Sequence, residues 1–202
     1  MEIDAKTVKA LRDETGAGMM DCKKALIEAG GDLDAARKLL REKGLADAKK
    51  RAGRTAGEGV IGSYMHQQLG RDVVGVLVEL NCETDFVAKG DDFGTLAHDI
   101  AMHIAAANPD WVSRDEVPEE VVQAEREVAE GKAAAEGKPE NIIPKIAEGR
   151  LNAFFKERCL LDQPYVRDDK QTISELVDAL SAKVGEKVEV RRFVRYAVGE
   201  EI

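Results

Sequence analysis

The feature that most constrains this chain is a ten-residue connection, Asn81-Cys82-Glu83-Thr84-Asp85-Phe86-Val87-Ala88-Lys89-Gly90, between its most strand-like run and its clearest helix. Ahead of it, residues 73–80 read Val-Val-Gly-Val-Leu-Val-Glu-Leu, rich in β-branched side chains. Behind it, Phe93, Leu96, Ala97, Ile100, Ala101, Ile104 and Ala105 recur at the spacing of one buried helix face. Asp91 or Asp92 serves as the cap of that helix and Asn108-Pro109 as its stop. The connection has room for one short turn. Thr84 or Asp85 can cap it by accepting a hydrogen bond from a backbone N–H, and Gly90 can end it. Phe86 and Val87 are adjacent, so a single turn cannot aim both the same way. One anchors the turn and the other faces outward. The residues alone leave two roles open for Phe86, a core side chain or a wedge into a partner.

The strand before this turn has a companion. Residues 60–66 form a second strand-like run, and Leu69 to Asp72 supply a glycine-containing turn between the two, which together read as a hairpin. The glycines Gly57, Gly59 and Gly62 spell G-x-G-x-x-G. A dinucleotide fingerprint must follow a strand and open a helix, so that the helix N-terminus meets the pyrophosphate. Here the glycines follow a basic linker and start a strand, so the fingerprint is rejected.

The first fifty residues predict three short helices. Asp4 is an N-cap with Ile3 and Val8 as a hydrophobic staple, Val8 and Leu11 form the apolar stripe, and Gly16 is the stop. Cys22, Ala25, Leu26 and Ala29 mark the second helix, ended by Gly30-Gly31. Asp32 caps a third, with Leu33, Ala36, Leu39 and Leu40 inward and Gly44 as its end. Met19 shares a face with Cys22 and Leu26, whereas Met20 falls off it, so the pair either fills a small core or offers a soft contact surface. Lys49, Lys50, Arg51 and Arg54 then make a basic linker, suited either to phosphates or to solvent. A domain boundary is expected near residue 54, giving an N-terminal unit 1–54 and a core 55–202.

Beyond residue 110, Pro118 opens a helix with Val121, Ala124 and Val128 spaced for burial. Ile143, Ile146, Ala147, Leu151 and Phe154 mark another. Thr172-Ile173-Ser174-Glu175 matches a capping box ahead of Ile173, Leu176, Val177 and Leu180. Residues 188–198 alternate well enough for a last strand. The expected fold is α+β: a three-helix N-terminal bundle, then a small antiparallel sheet of about three strands packed with helices.

A net charge of -9 argues against nonspecific nucleic-acid binding. The three cysteines are scattered, with no Cys-x-x-Cys pair, so neither a disulfide framework nor a zinc site is indicated. His98 and His103 are five apart and do not share a helix face as metal ligands. No apolar stretch is long enough to cross a bilayer, and the cytoplasm is the default location. Neither a nucleophile elbow nor a Walker loop is present, and no cofactor is expected.

Two stretches carry a family resemblance. Leu11-Arg12-Asp13-Glu14-Thr15-Gly16-Ala17-Gly18-Met19-Met20-Asp21-Cys22-Lys23-Lys24-Ala25-Leu26 resembles the N-terminal signature of bacterial translation elongation factor Ts. Asn81-Cys82-Glu83-Thr84-Asp85-Phe86-Val87-Ala88 is similar to its second signature. Ile100-Ala101-Met102-His103-Ile104-Ala105 and Gln163-Pro164-Tyr165-Val166 extend the likeness over nearly the whole chain. The resemblance implies a guanine-nucleotide exchange factor, not an enzyme, acting on elongation factor Tu, the GTPase that delivers aminoacyl-tRNA. It implies that the N-terminal bundle is like a ubiquitin-associated domain and that Arg12, Met19 and Met20 contact the partner's nucleotide domain. Asp85 and Phe86 would enter near the nucleotide and magnesium site, within a partner-facing stretch that includes Thr84 and Val87. His66 would meet another domain of the partner. The second core copy and coiled-coil insertion of longer members are not found, so a homodimer in a two-plus-two complex is expected. Two other functions are compatible with the residues: a small enzyme using the glycine run as a cofactor loop, and a ubiquitin-associated or RNA-binding adaptor.

Overall fold

The computed structural model describes residues 3–200, and for residues 45–49 the backbone alone. The side chain of Lys49 in the basic linker therefore lies outside the described residues. Among them are eight α-helices and five strands: α1 (Ala5–Thr15), α2 (Met19–Glu28), α3 (Leu33–Arg51), β1 (Glu58–Gln68), β2 (Arg71–Cys82), α4 (Asp85–Ala88), α5 (Asp91–Ala107), α6 (Glu119–Ala135), α7 (Ile143–Arg158), β3 (Pro164–Tyr165), β4 (Asp168–Thr172), α8 (Ile173–Val184) and β5 (Glu189–Ala197). Strands β1, β2 and β5 form one small antiparallel sheet in the order β1-β2-β5, and β3 pairs with β4. The expected α+β class is what the structure has.

The chain divides into two compact units. The first comprises Met1–Ile61, Glu79–Ala97 and Glu175–Val190. The second comprises Gly62–Val78, His98–Ser174 and Arg191–Ile202.

In the first unit the N-terminal helices enclose a small core of Val8, Leu11, Cys22, Ala25, Leu26 and Ala36. Ile3, Ala17, Ala29, Leu39 and Leu40 pack against it. The Asp4 side chain accepts from Lys6 N–H, and Gly16 ends α1 in the left-handed region (φ 68°). Asp32 accepts from the N–H groups of Asp34 at 2.8 Å and Ala35 at 3.0 Å, as its N-cap role requires. Leu33 departs from the expected apolar face and is 37% exposed.

Gly44 does not stop the third helix, which runs on to Arg51. A helix interior tolerates one glycine at a cost of about 1 kcal/mol, and the flanking Leu, Ala, Lys and Glu are good helix formers. Contacts with α8 offset that cost: Arg41 pairs with Glu175, Arg51 Nε donates to Ser181 Oγ at 3.3 Å, and Gly44 faces Ala182. The basic linker is therefore mostly the last turns of α3.

Gly59 explains part of the glycine run. A Cβ built on it would lie 2.3 Å from the Leu80 carbonyl oxygen and 2.9 Å from Asn81 Cα. The backbones of β1 and β2 approach too closely there for any side chain. Gly59 and Gly62 both lie within β1, so this sequence opens no helix.

In the second unit the β1–β2 hairpin closes through Leu69 (φ 53°) and Gly70 (φ 76°), the two left-handed residues of a primed turn. Helices α6 and α7 pack together with Ala129, Ala133, Ala147 and Leu151 buried. The expected stripe on α6 is corrected: Val128 is 51% exposed, and Ala129 and Ala133 are buried instead. Small alanines let the helices approach, and the larger valine is left on the outer side. Arg114 sits 4.8 Å over the Phe155 ring and pairs with Asp162 at 2.6 Å. His103 is buried, with Nε2 donating to Gln163 Oε1 at 2.9 Å and Nδ1 accepting from Val166 N–H at 3.2 Å. It is a satisfied core histidine, held neutral by a pKa that burial pushes below the usual range.

Candidate functional site

Asn81 and Cys82 are the last residues of β2, and residues 83–90, between β2 and α5, contain one turn of helix, α4. Phe86 is 85% exposed, while Val87 is half-buried. The two adjacent apolar residues therefore have different surroundings, as the geometry of a single turn demands. A phenyl ring left this far in water is unusual for a residue that contributes mainly to cores and interfaces.

The turn is not capped as expected. Thr84 occupies the N-cap position with extended backbone, but its side chain makes no capping hydrogen bond. Its Oγ1 instead donates to Glu186 Oε1 at 2.7 Å. Glu186 Oε2 accepts from the N–H groups of Glu83 at 3.1 Å and Thr84 at 3.0 Å. A carboxylate 102 residues away in sequence thus takes the donors that a local cap leaves over. Asp85 pairs with Lys89 at 2.6 Å along the turn, and Lys89, one residue before Gly90, is the C-cap.

The neighbours of this turn are equally well tied. The Glu83 carboxylate accepts from Lys187 N–H at 2.6 Å and pairs with Arg54 at 3.2 Å. These contacts hold its pKa below the usual carboxylate range, the Lys187 N–H first and Arg54 second. Cys82 is buried and donates its thiol to the Thr84 carbonyl at 3.1 Å. Burial, reinforced by the Glu186 charge, pushes that thiol up, so it stays protonated.

Arg12, Met19 and Met20 lie in the same compact unit as this turn. Arg12 is exposed on α1. Met19 is 44% and Met20 62% exposed at the start of α2. The shared helical face of Met19 and Cys22 does not bury the methionine, which is not among the residues packed on the small core. The loop before α2 runs close to α8, where a Cβ built on Gly16 would lie 3.4 Å from Lys183 Cδ. Lys183 in turn pairs with Asp92 at 2.7 Å, two residues after the turn ends. Lys183 thus lies beside Gly16 and pairs with the first turn of α5, just past the second stretch.

His66 belongs to the other unit. It is exposed on β1, with Tyr64 stacked beside it at 6.4 Å and the Tyr64 hydroxyl 3.5 Å from its Nδ1. Tyr64 also meets His98 edge-on at 5.8 Å, and His98 Nδ1 is a hydrogen-bonding partner of the Ser63 carbonyl at 3.0 Å.

Sequence reasoning missed Glu186. Nothing around it marks a functional carboxylate, since it follows Gly185 as an ordinary polar residue between a helix and a strand. Among the described residues, no group of three or more His, Cys, Asp or Glu could hold a metal ion. No helix among them is long and apolar enough to cross a membrane.

Comparisons with known proteins cover nearly the whole chain. A family model described as elongation factor TS matches residues 40–200. The chain is 57% identical over 199 residues to elongation factor Ts of Desulforamulus reducens, covering 98% of this chain and 90% of that protein. It is 54% identical over 200 residues to the protein of that name from Moorella thermoacetica, covering 99% and 97%. The Coprothermobacter proteolyticus elongation factor Ts is 55% identical over 200 residues, covering 99% of this chain and 100% of its own length.

Proposed function

The chain belongs to the elongation factor Ts family, and on that premise we propose that it is a guanine-nucleotide exchange factor for elongation factor Tu, with no catalytic chemistry of its own. It acts in the cytoplasm during translation elongation. The observation that carries this reading is the 85% exposed Phe86 on a turn fixed at its base. Asp85 and Phe86 insert near the nucleotide and magnesium site of the partner, Val87 anchors the turn inward, and Thr84 ties it to Glu186. Arg12, Met19 and Met20, exposed in the same compact unit, supply a second contact from the N-terminal residues 1–54, folded like a ubiquitin-associated domain. His66 extends the contact to another domain of the partner. The chain binds no nucleotide itself: Gly59 and Gly62 of its G-x-G-x-x-G sequence lie in β1, and the run opens no helix.

Within the core domain, residues 55–202, the chain pairs with a second copy. The face of β1, β2 and β5 in the second unit leaves Met65 55%, Leu77 50% and Tyr196 71% exposed, around a groove of about 490 Å³. A contiguous apolar face of this kind marks an interface, and a two-fold pairing buries the same patch on both copies. Two copies then bind two molecules of elongation factor Tu. A Leu77→Asp, Tyr196→Asp variant should sediment as a monomer where the parent sediments as a dimer; a dimer that survives both charges argues against this surface.

The direct test of the exchange function uses elongation factor Tu loaded with fluorescent GDP. Adding the chain with excess unlabelled GDP should speed release in proportion to its concentration until it saturates. A release rate equal to the spontaneous one would end this reading. The basic residues at the end of α3 suggest an RNA-binding adaptor instead, but Arg51 and Arg54 are engaged with Ser181 and Glu83, which disfavours it.

A further inference from the structure

We propose that Glu186 is a positioning residue for exchange, one half of a reciprocal carboxylate clasp that holds the Phe86 turn in its inserting orientation. The proposal rests on the exchange reading above and extends it to a residue remote in sequence.

The turn needs such a device. Helix α4 has only four residues and no side-chain cap, and one helical turn does not hold itself in water. Phe86 is too exposed for its own contacts to fix it. Its orientation is set by what grips the base of the turn. Glu186 accepts three hydrogen bonds there, from Glu83 N–H, Thr84 N–H and Thr84 Oγ1, at 3.1, 3.0 and 2.7 Å. Each is a charge-assisted bond to a carboxylate. Glu83 returns the grip by accepting from Lys187 N–H at 2.6 Å. The two segments, 83–84 and 186–187, thus hold each other by side chains from both sides. The Glu186 backbone is itself fixed, since Ser181 Oγ donates to its carbonyl at 2.6 Å. Arg54, three residues past the end of α3, closes on Glu83 at 3.2 Å.

Removing the carboxylate leaves two backbone donors and a hydroxyl to water, and the turn samples several orientations. Only the fraction aimed at the partner is then competent, and the rate falls by that fraction. Affinity contributed by the N-terminal contacts is little changed.

The experiment measures fluorescent GDP release from elongation factor Tu by stopped flow, with Glu186→Ala, Glu186→Gln, Phe86→Ala and the double variant Glu186→Ala, Phe86→Ala of the full chain. Circular dichroism melts check that each is folded, and Glu186→Gln carries the test if the alanine variant is not. Glu186→Ala should lower the maximal rate about tenfold, as a loss of productive orientation does, with less than about a threefold change in the half-saturating concentration. Glu186→Gln, which keeps one acceptor oxygen, should fall between. The double variant should be slower than Phe86→Ala by much less than the effect of Glu186→Ala on the parent, because a positioning residue acts through the turn it positions and only Asp85 is left there to misplace. Losses that multiply, or a Glu186→Ala variant as fast as the parent beside an impaired Phe86→Ala, overturn this proposal alone. An unimpaired Phe86→Ala overturns the wedge reading and this proposal with it.

Discussion

Replacing Phe86 by alanine separates folding from function. The side chain is 85% exposed, so its removal takes almost nothing from the folded state. If it is buried in a partner during exchange, its loss costs about 1.5–3 kcal/mol of interaction. At about 1.36 kcal/mol per factor of ten, that corresponds to roughly a 10- to 150-fold slower stimulated release. Phe93, seven residues on, is the control. It is 1% exposed, and Phe93→Ala should cost about 3–5 kcal/mol of stability, a large share of what a domain has. The assay is fluorescent GDP release from elongation factor Tu at saturating exchange factor, beside thermal melts of all three proteins. Phe86→Ala should melt with the parent and release slowly; Phe93→Ala should melt far lower. A Phe86→Ala protein that releases GDP within twofold of the parent refutes the reasoning, as does one whose melting temperature falls like that of Phe93→Ala.

Two further outcomes follow from the packing. Gly59→Ala places a Cβ 2.3 Å from the Leu80 carbonyl oxygen, so β1 must shift, and chemical denaturation should show a loss of about 1–3 kcal/mol. His103 is buried and its pKa lies below the usual value near 6.5. Both states are neutral above that value; as pH falls through it, the unfolded chain takes up a proton that the folded chain refuses, so stability drops until the folded pKa is reached. The melting temperature should therefore fall between pH 7.5 and 5.5 by more in the parent than in His103→Gln, and an equal fall in both would contradict that role.

Much of this fold is legible because its signals are local. Asp4, Gly16, Gly30 and Asp32 punctuate the N-terminal helices where their backbone chemistry says they should. Leu69-Gly70 closes the hairpin, and Phe93, Ala97, Ile100 and Ile104 are buried as their spacing predicts. What escapes is set by partners distant in sequence. Gly44 reads as a stop until α8 lies alongside α3. The β3–β4 hairpin is local and escapes for another reason: Asp168-Asp169-Lys170-Gln171-Thr172 has no apolar alternation. In the candidate site, the order of residues marks the turn, and adjacency splits Phe86 from Val87. The grip of Glu186 on Thr84 spans 102 residues and has no local signature.

The arrangement also bears on how a small protein can displace a tightly held nucleotide. An exchange factor changes an equilibrium only by preferring the nucleotide-free partner, and by linkage the nucleotide must then weaken the factor to the same degree. One phenyl ring, at about 1.5–3 kcal/mol, does not supply that preference alone. It needs a second contact that gives affinity and a scaffold stiff enough to direct that affinity into distortion of the partner. Arg12, Met19 and Met20 share a compact unit with Phe86, and Lys183 lies beside Gly16 while pairing with Asp92 at the start of α5. On the proposed reading, the clasp of Glu83 and Glu186 keeps the turn from yielding when it meets resistance. A loose turn with the same Phe would bind and bend back, so the partner would keep its nucleotide. On the proposed reading the exposed ring depends on the bonds beneath it: Phe86 can act as a wedge because Glu186 holds Thr84 by its N–H and its hydroxyl.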